Sequence, residues 1–342
     1  MPCYDPMKAW QSHNGKIVIF KKNDQAGGRT ARLGRDHKRD LELPCGKCIG
    51  CRIEKTRQWA QRCTHEAALH DENCFLTLTI NTKLPSRIRG SKNNGAASKP
   101  LRTAVINPAE HRGGDAAHEQ RQLDASPQKG ANSVDKKIHQ KFLKRLRKNV
   151  AVPIRYYMCG EYGKNLTNPH YHYLIFGYNF RDRKYIKKSE SGAKLYQSDT
   201  LDKLWGQGLA WIGDVTPESA QYVAGYVQKK ITGPKAKTHY KGLTPEFGLM
   251  SRNPGLGAAW IDKYRTEVYP SDKIYTLDRA AKPPRYYDER MKKTDPTAYE
   301  AIKTNRREEA AKNTDNTPER LHARETVTKA KFNTKRRQLE TQ

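Results

Sequence analysis

The feature that most constrains the fold is a pair of apolar and aromatic runs, IRYYMCGEYG and HYHYLIFGY, on either side of the turn-forming sequence GKNLTNP. This pattern predicts an antiparallel β-hairpin. Alternate residues of a strand share a face, so His170 and His172 are expected with their Cβ atoms about 7 Å apart. A turn centred between Asn165 and Leu166 places Glu161 opposite His170. The sequence therefore predicts two imidazoles and one carboxylate on one patch of a sheet.

Two imidazoles and a carboxylate are a donor set for a divalent metal ion. Mixed nitrogen and oxygen ligands suit Mn²⁺ or Mg²⁺ engaging a phosphate oxygen, and they also occur in non-haem iron oxygenases. Ligand type alone does not separate these classes. The alternative without a metal is a pair of hydrogen-bonded histidines in an aromatic strand.

A second chemical element is the segment QYVAGYVQKK. With the preceding TPESA it predicts a helix that has Thr216 as its N-cap and Pro217 at its first position. This helix carries Tyr222 and Tyr226 four residues apart on one face, with Lys229 and Lys230 one turn further on. The same spacing is typical of a helix that packs its tyrosines on a sheet. A phenol is a poor nucleophile unless its target is made electrophilic, which a metal ion and nearby ammonium groups can do.

The charge of the chain indicates a polyanionic partner. Lys and Arg number 65 against 36 Asp and Glu, which gives a formal net charge of +29. Nucleic acid is the commonest polyanion to meet such a field. No apolar run approaches the ~20 residues of a membrane-spanning helix, and the first residues do not resemble a signal peptide. We therefore expect an intracellular protein that binds DNA or RNA and does not contact membranes.

The order of predicted elements indicates an α+β fold, with a mainly antiparallel central sheet and flanking helices. CFLTLTI reads as a central strand, and SVDKKIHQKFLKRLRKNV as a basic amphipathic helix capped by Ser133. We expect three parts: residues 1–70 with a cysteine cluster and a helix, a catalytic domain over 71–280 with a mobile insertion at 84–133, and a charged tail at 281–342. The tail is expected to be disordered or only loosely helical.

Three cysteines, Cys45, Cys48 and Cys51, follow the spacing C-x2-C-x2-C. Together with Cys63 or His65 as a fourth ligand they can hold a structural Zn²⁺. An iron–sulfur cluster and ordinary thiols are the alternatives that the spacing leaves open.

The motifs taken together resemble a known superfamily. NPHYHYLIFG resembles the His-hydrophobic-His motif, FLTLTI the first strand motif, and YVAGYVQKK the two-tyrosine motif of the HUH endonucleases that initiate rolling-circle replication. With PCGKCIGCRIEKTRQWAQRC upstream and GLMSRNPGLG downstream, the pattern is similar to the replication initiation proteins of gokushoviruses, which are single-stranded DNA bacteriophages of the microvirus family. The resemblance covers roughly residues 40 to 270 without the insertion.

This resemblance implies a ferredoxin-like or RRM-like sheet and a site-specific nick through a 5′-phosphotyrosyl intermediate. It also implies a free 3′-OH for the host replication machinery in the bacterial cytoplasm and a final rejoining of the ends. By motif position, His170, His172 and Glu161 would bind Mg²⁺ or Mn²⁺, and Tyr222 and Tyr226 would be the nucleophiles.

One position departs from the pattern of the superfamily. Related two-tyrosine proteins often have a lysine immediately before the second tyrosine, where this chain has Gly225, so the charge-stabilising role falls to Lys229. The rival functions are an HUH transposase or relaxase and a noncatalytic protein that binds single-stranded DNA.

Overall fold

A computed structural model describes residues 3–20, 37–81, 133–163, 166–189, 191–226, 230–231, 233–276, 280–312 and 314–334. Apart from Ser133, the predicted insertion at 84–133 lies outside these ranges, and so does Lys229. Within the described ranges, no helix is both long enough and apolar enough to pass through a bilayer.

The elements alternate between strands and helices along the chain. The strands are β1 (Met7–Ser12), β2 (Ile17–Ile19), β3 (His37–Leu43), β4 (Asn73–Thr79), β5 (Arg155–Tyr162), β6 (Pro169–Phe176), β7 (Lys184–Lys188), β8 (Lys194–Gln197), β9 (Ala210–Gly213), β10 (Phe247–Met250), β11 (Ile274–Tyr275) and β12 (Ala280–Ala281). The helices are α1 (Ile49–Ala67), α2 (Lys136–Asn149), α3 (Asp199–Trp205), α4 (Pro217–Tyr226), α5 (Lys235–Tyr240), α6 (Ala258–Val268), α7 (Arg285–Thr294), α8 (Pro296–Ala311) and α9 (Pro318–Thr334).

A sheet of seven strands in the order β10-β5-β6-β4-β9-β8-β7 forms the centre of the molecule. All its paired neighbours are antiparallel, and β4 occupies the middle position, as CFLTLTI predicted. Helices cover both faces of this sheet, so the α+β prediction is confirmed. A separate three-stranded sheet, in the order β2-β1-β3, precedes α1.

The alternation of side chains along β6 separates two apolar layers. Tyr171, Tyr173 and Ile175 face a core that includes residues of α2 and α3. Leu174 and Phe176 face the opposite core, which is formed with α1 and α4. His170 and His172 have the parity of this second set, and therefore lie on the face covered by α1 and α4.

A buried carboxylate joins α1 to the sheet. Glu66 is only 3% exposed; its carboxylate accepts hydrogen bonds from the guanidinium of Arg155 on β5 and, at 2.7 Å, from the backbone N–H of Gly257. Alanine at this position would leave the Gly257 N–H without its acceptor and the Arg155 guanidinium without its carboxylate partner.

We expect Glu66→Ala to lower the free energy of unfolding by about 2–3 kcal/mol, measured by urea denaturation. Glu289→Ala, at an exposed position of α7, is the control and should change it by less than about 0.5 kcal/mol. Equal stability of the two variants would contradict a role for Glu66 in holding α1.

One expectation about a helix differs from the structure. The N-cap of α2 is Asp135 and not Ser133, because the Asp135 carboxylate accepts the N–H of Lys137 at 2.8 Å. The Ser133 hydroxyl instead contacts the hydroxyl of Tyr162 at 3.1 Å.

The described residues of the tail form helices α7, α8 and α9, of which α8 has no buried residue and α9 only Leu321. The most deeply buried apolar side chains of the tail belong to α7. Tyr287 and Met291 of α7 are buried in a small core with Ile261 of α6.

Candidate active site

The hairpin β5–β6 has the predicted register, with Glu161 directly opposite His170. The Glu161 carboxylate, however, is hydrogen-bonded to the other histidine: its Oε1 lies 2.8 Å from His172 Nε2. Both side chains are about 5% exposed. The two imidazole centroids are 6.2 Å apart, so both rings and the carboxylate lie in one compact patch.

Two threonines of β4 orient the imidazoles. Thr77 Oγ1 lies 3.1 Å from His172 Nδ1, and Thr79 Oγ1 lies 3.0 Å from His170 Nδ1. Sequence reasoning missed them as site residues, although the alternation within CFLTLTI puts both on one face. Because each threonine hydroxyl is bonded to Nδ1, the Nε2 atom of each imidazole is directed away from β4.

The residue types of this set suit a divalent cation, but their ligand atoms do not all lie within 4.8 Å of one another, so one ion would draw the side chains closer together. Two imidazole nitrogens and a carboxylate oxygen provide neutral and anionic ligands together, and the threonine hydroxyls set the ring orientation from behind. The Glu161–His172 hydrogen bond joins Oε1 to Nε2, which are both atoms that can ligate a metal ion. A metal ion held by these two atoms would take the place of the hydrogen bond between them.

The two-tyrosine helix lies against the histidines. The rings of Tyr226 and His172 are stacked at 5.1 Å with an interplanar angle of 3°, and the ring of Tyr222 meets His172 edge-on at 5.3 Å. The two phenol rings are 4.5 Å apart. Histidines and tyrosines from distant parts of the chain therefore share one site, as the motif analysis requires.

The start of α4 is fixed by a reciprocal cap. The Thr216 hydroxyl accepts the N–H of Ser219 at 3.2 Å, and the Ser219 hydroxyl accepts the N–H of Thr216 at 2.8 Å. Pro217 occupies the first helical position, where its missing N–H costs nothing. One side of α4 then packs into the core shared with α1 through Val223 and Ala224.

The environment holds the second phenol in its protonated form. Burial, the carboxylate of Glu161 and the neighbouring Tyr222 raise the pKa of Tyr226 well above its ordinary value. Tyr226 is 3% exposed, while Tyr222 is half-buried. A reaction at the Tyr226 oxygen therefore needs positive charge near it, because burial and Glu161 both disfavour its phenolate.

The lysine expected to supply that charge, Lys229, lies outside the described residues, and its role stays a prediction. Lys230 is exposed. At Gly225, the position of the departure from the superfamily pattern, an added Cβ would meet no atom within 4 Å. The packing around α4 therefore does not explain why glycine stands there.

A tryptophan extends the same face of the sheet. Trp211 of β9 pairs with Thr77, which pairs with His172, so all three side chains lie in one row. Strand spacing places Trp211 about 10 Å from the His172 strand. The ring is half-buried, and the ammonium of Lys187 lies 5.5 Å from its centroid.

The basic helix α2 lies on the other face of the sheet. Its exposed basic residues are therefore remote from the tyrosines: Lys136, Lys137, Lys141, Lys144, Arg147 and Lys148. A contact of α2 with DNA near the reacting phosphate is not favoured by this arrangement.

The cysteine cluster differs from expectation in its fourth member. Cys63 is buried in the core between α1 and α4, and His65 Nδ1 is bonded to the Tyr287 hydroxyl at 2.9 Å. Cys3, from the first residues of the chain, joins Cys45, Cys48 and Cys51 instead. Local spacing gave no sign of this, because Cys3 is 42 residues from Cys45.

A family model described as replication-associated protein ORF2/G2P matches residues 123–231. This range includes Glu161, both histidines of the site and both tyrosines. No solved structure matches the chain.

Three phage proteins are similar over most of this chain. It is 28% identical to replication-associated protein VP4 of Bdellovibrio phage phiMH2K, over 86% of this chain and 79% of that protein. It is 27% identical to replication-associated protein ORF2 of Spiroplasma virus 4, over 86% and 81%. It is 24% identical to replication-associated protein ORF4 of Chlamydia phage 1, over 73% and 54%.

Proposed function

We propose that this chain, a replication-associated protein of the gokushovirus type, nicks one strand of the phage DNA at the origin and later rejoins the ends. The observation that carries the proposal is the contact of Tyr222 and Tyr226 with His172. It brings two nucleophile candidates to a metal-type donor set, which is the arrangement expected of an HUH endonuclease.

Each side chain of the site has a part in the proposed reaction. Glu161, His170 and His172 would hold Mg²⁺ or Mn²⁺, which supplies positive charge to the scissile phosphate. A tyrosine hydroxyl attacks phosphorus, and the bond from phosphorus to the 3′ oxygen breaks. The proton lost by the phenol is matched by the one that the 3′ oxygen takes up. The products are a 5′-phosphotyrosyl ester and a free 3′-OH.

Two tyrosines allow two such transfers in succession. The phosphotyrosyl ester keeps the energy of the broken phosphodiester bond, so the reverse attack by a 3′-OH needs no other energy source. While one tyrosine holds the DNA end, the other can cut the next copy. Lys229 or Lys230 would stabilise charge on the phosphate during both steps.

The partners follow from this chemistry. Origin DNA, unpaired at the nick, is the substrate, and the net charge of +29 attracts its backbone. The 3′-OH is the end that the host replication machinery extends, which places the reaction in the cytoplasm of the host bacterium.

The test is incubation of the full chain with overlapping single-stranded fragments of the phage genome and Mn²⁺. A covalent protein–DNA adduct that survives denaturant and requires Mn²⁺ is the expected result. Salt-sensitive binding without any adduct would show a noncatalytic DNA-binding protein. Adducts formed equally on unrelated transposon ends would favour a transposase or relaxase.

Trp211 offers a stacking surface for an unpaired base beside the cut. We expect Trp211→Ala to weaken binding of a single-stranded oligonucleotide by about 1–3 kcal/mol, which is about 5-fold to 150-fold, because stacking on an aromatic ring contributes that much per base. Fluorescence anisotropy at fixed salt measures it. Tyr275→Ala, at a position 68% exposed on β11, is the control and should leave the affinity unchanged. Equal affinities of the two variants would contradict the stacking role.

A further inference from the structure

Four cysteine sulfurs meet at the start of α1. The Sγ atoms of Cys3, Cys45, Cys48 and Cys51 all lie within 4.8 Å of one another, and those of Cys3 and Cys48 are 4.0 Å apart. A tetrahedral Zn²⁺ with Zn–S bonds of about 2.3 Å has sulfur–sulfur edges of about 3.8 Å. The four sulfurs are therefore already close to the spacing that one ion requires.

Backbone N–H groups point at these sulfurs. The N–H groups of Lys47 and Cys48 donate to Cys45 Sγ at 3.4 and 3.3 Å, across a turn in which Gly46 has φ +72°. That left-handed conformation favours glycine. The turn therefore wraps two donors around a single sulfur, as expected where a thiolate ligand needs its charge stabilised.

The other sulfurs accept similar hydrogen bonds. Cys48 Sγ accepts the N–H groups of Tyr4 at 3.3 Å and Cys51 at 3.5 Å, and Cys3 Sγ accepts the N–H of Cys45 at 3.3 Å. Such donors match the negative charge of thiolates. Neutral thiols brought together by packing alone would not need them, since a thiol is a weak acceptor.

We propose that Cys3, Cys45, Cys48 and Cys51 bind one structural Zn²⁺. A four-iron cluster fits less well, because it spreads its four thiolates over four iron atoms and needs a wider ring of sulfurs than one ion. The ligands come from three parts of the chain: the segment before β1, the loop after β3 and the first turn of α1. The ion therefore connects the small N-terminal sheet to the N-terminal end of α1.

This position gives the ion a consequence for the rest of the fold. Cys48 is the N-cap of α1, and α1 packs against α4 through Trp59 and Cys63. The Tyr4 hydroxyl, next to Cys3, also contacts Thr328 of α9 at 2.8 Å. Loss of the ion is expected to loosen the N-terminal sheet first, whereas the core between α1 and α4 retains its own apolar contacts.

The first experiment uses the unaltered full chain, purified without chelator. We expect about one zinc per chain by elemental analysis, and X-ray absorption should show four sulfur ligands at about 2.3 Å. A mercurial that reacts with thiols should release this zinc. A chain without bound metal, a chain with stoichiometric iron, or a zinc with mainly nitrogen and oxygen ligands would each overturn the proposal.

Variants test the assignment of Cys3. Cys3→Ser should lose most of the zinc or retain it with only three sulfur ligands. Cys74→Ala is the control: this cysteine is buried in the core formed with α2 and α3, away from the four sulfurs. This variant should keep one zinc per chain. A folded Cys3→Ser protein, as judged by circular dichroism, with four sulfur ligands would show that Cys3 is not a ligand.

Discussion

Phenylalanine at both position 222 and position 226 is expected to abolish the covalent DNA adduct, by about 10³-fold or more, whereas either single change should leave part of it. The reason is that the double variant has no phenol oxygen at the histidines. Phenylalanine keeps the rings that stack on His172 and pack against each other, so the fold of α4 should be retained.

The two single variants are not expected to be equal. Tyr222 is half-buried and Tyr226 is 3% exposed, so a phosphate approaching from solvent reaches Tyr222 first. Tyr222→Phe should therefore slow the first cleavage more than Tyr226→Phe. Gel assays of adduct formation over time measure both. Tyr275→Phe is the matched control, and an undiminished adduct in the double variant would refute the nucleophile assignment.

Replacement of His172 by alanine is expected to reduce cleavage by about 10²-fold or more while salt-sensitive DNA binding is retained. His172 contacts Thr77, Glu161 and both tyrosines, so its ring links the donor set to the nucleophiles. In the proposed function, the DNA backbone is bound by lysines and arginines of the surface, which this change does not alter.

Binding of Mn²⁺ gives a readout of His172 that is independent of cleavage. Calorimetric titration of the full chain should show loss of a Mn²⁺ site in His172→Ala and an unchanged site in His322→Ala, an exposed histidine of α9. Thermal unfolding of both variants separates this effect from a loss of fold. Normal Mn²⁺ affinity and normal cleavage in His172→Ala would contradict the metal-binding role.

Much of the site was predictable because it is built from local patterns. The hairpin register between Glu161 and His170 follows from a short turn and a period of two, and α4 begins at the predicted Thr216–Pro217 cap. These features depend on residues that are near each other in the chain. Their local chemistry therefore decides the structure before tertiary packing is considered.

The features that were missed depend on distant residues. Cys3 reaches the other cysteines only through the pairing of β1 with β3, which no spacing in the sequence reveals. Strand register places Glu161 opposite His170, but it does not decide which of the two histidines the carboxylate bonds. In the structure it bonds His172, the diagonal neighbour. Helix α7 packs on the rest of the chain because Tyr287 is buried in a core with residues of α6 and its hydroxyl is bonded to His65. The highly charged composition of the tail gave no sign of this contact.

In the proposed reaction, the metal-type donor set makes one DNA phosphodiester open to attack by a phenol of α4. The most direct measurement is mass spectrometry of the adduct after digestion with nuclease and protease. We expect the remaining nucleotide on Tyr222 or Tyr226, in a reaction that requires Mn²⁺. A nucleotide on any other residue, or cleavage that leaves no residue modified at any time, would contradict the account.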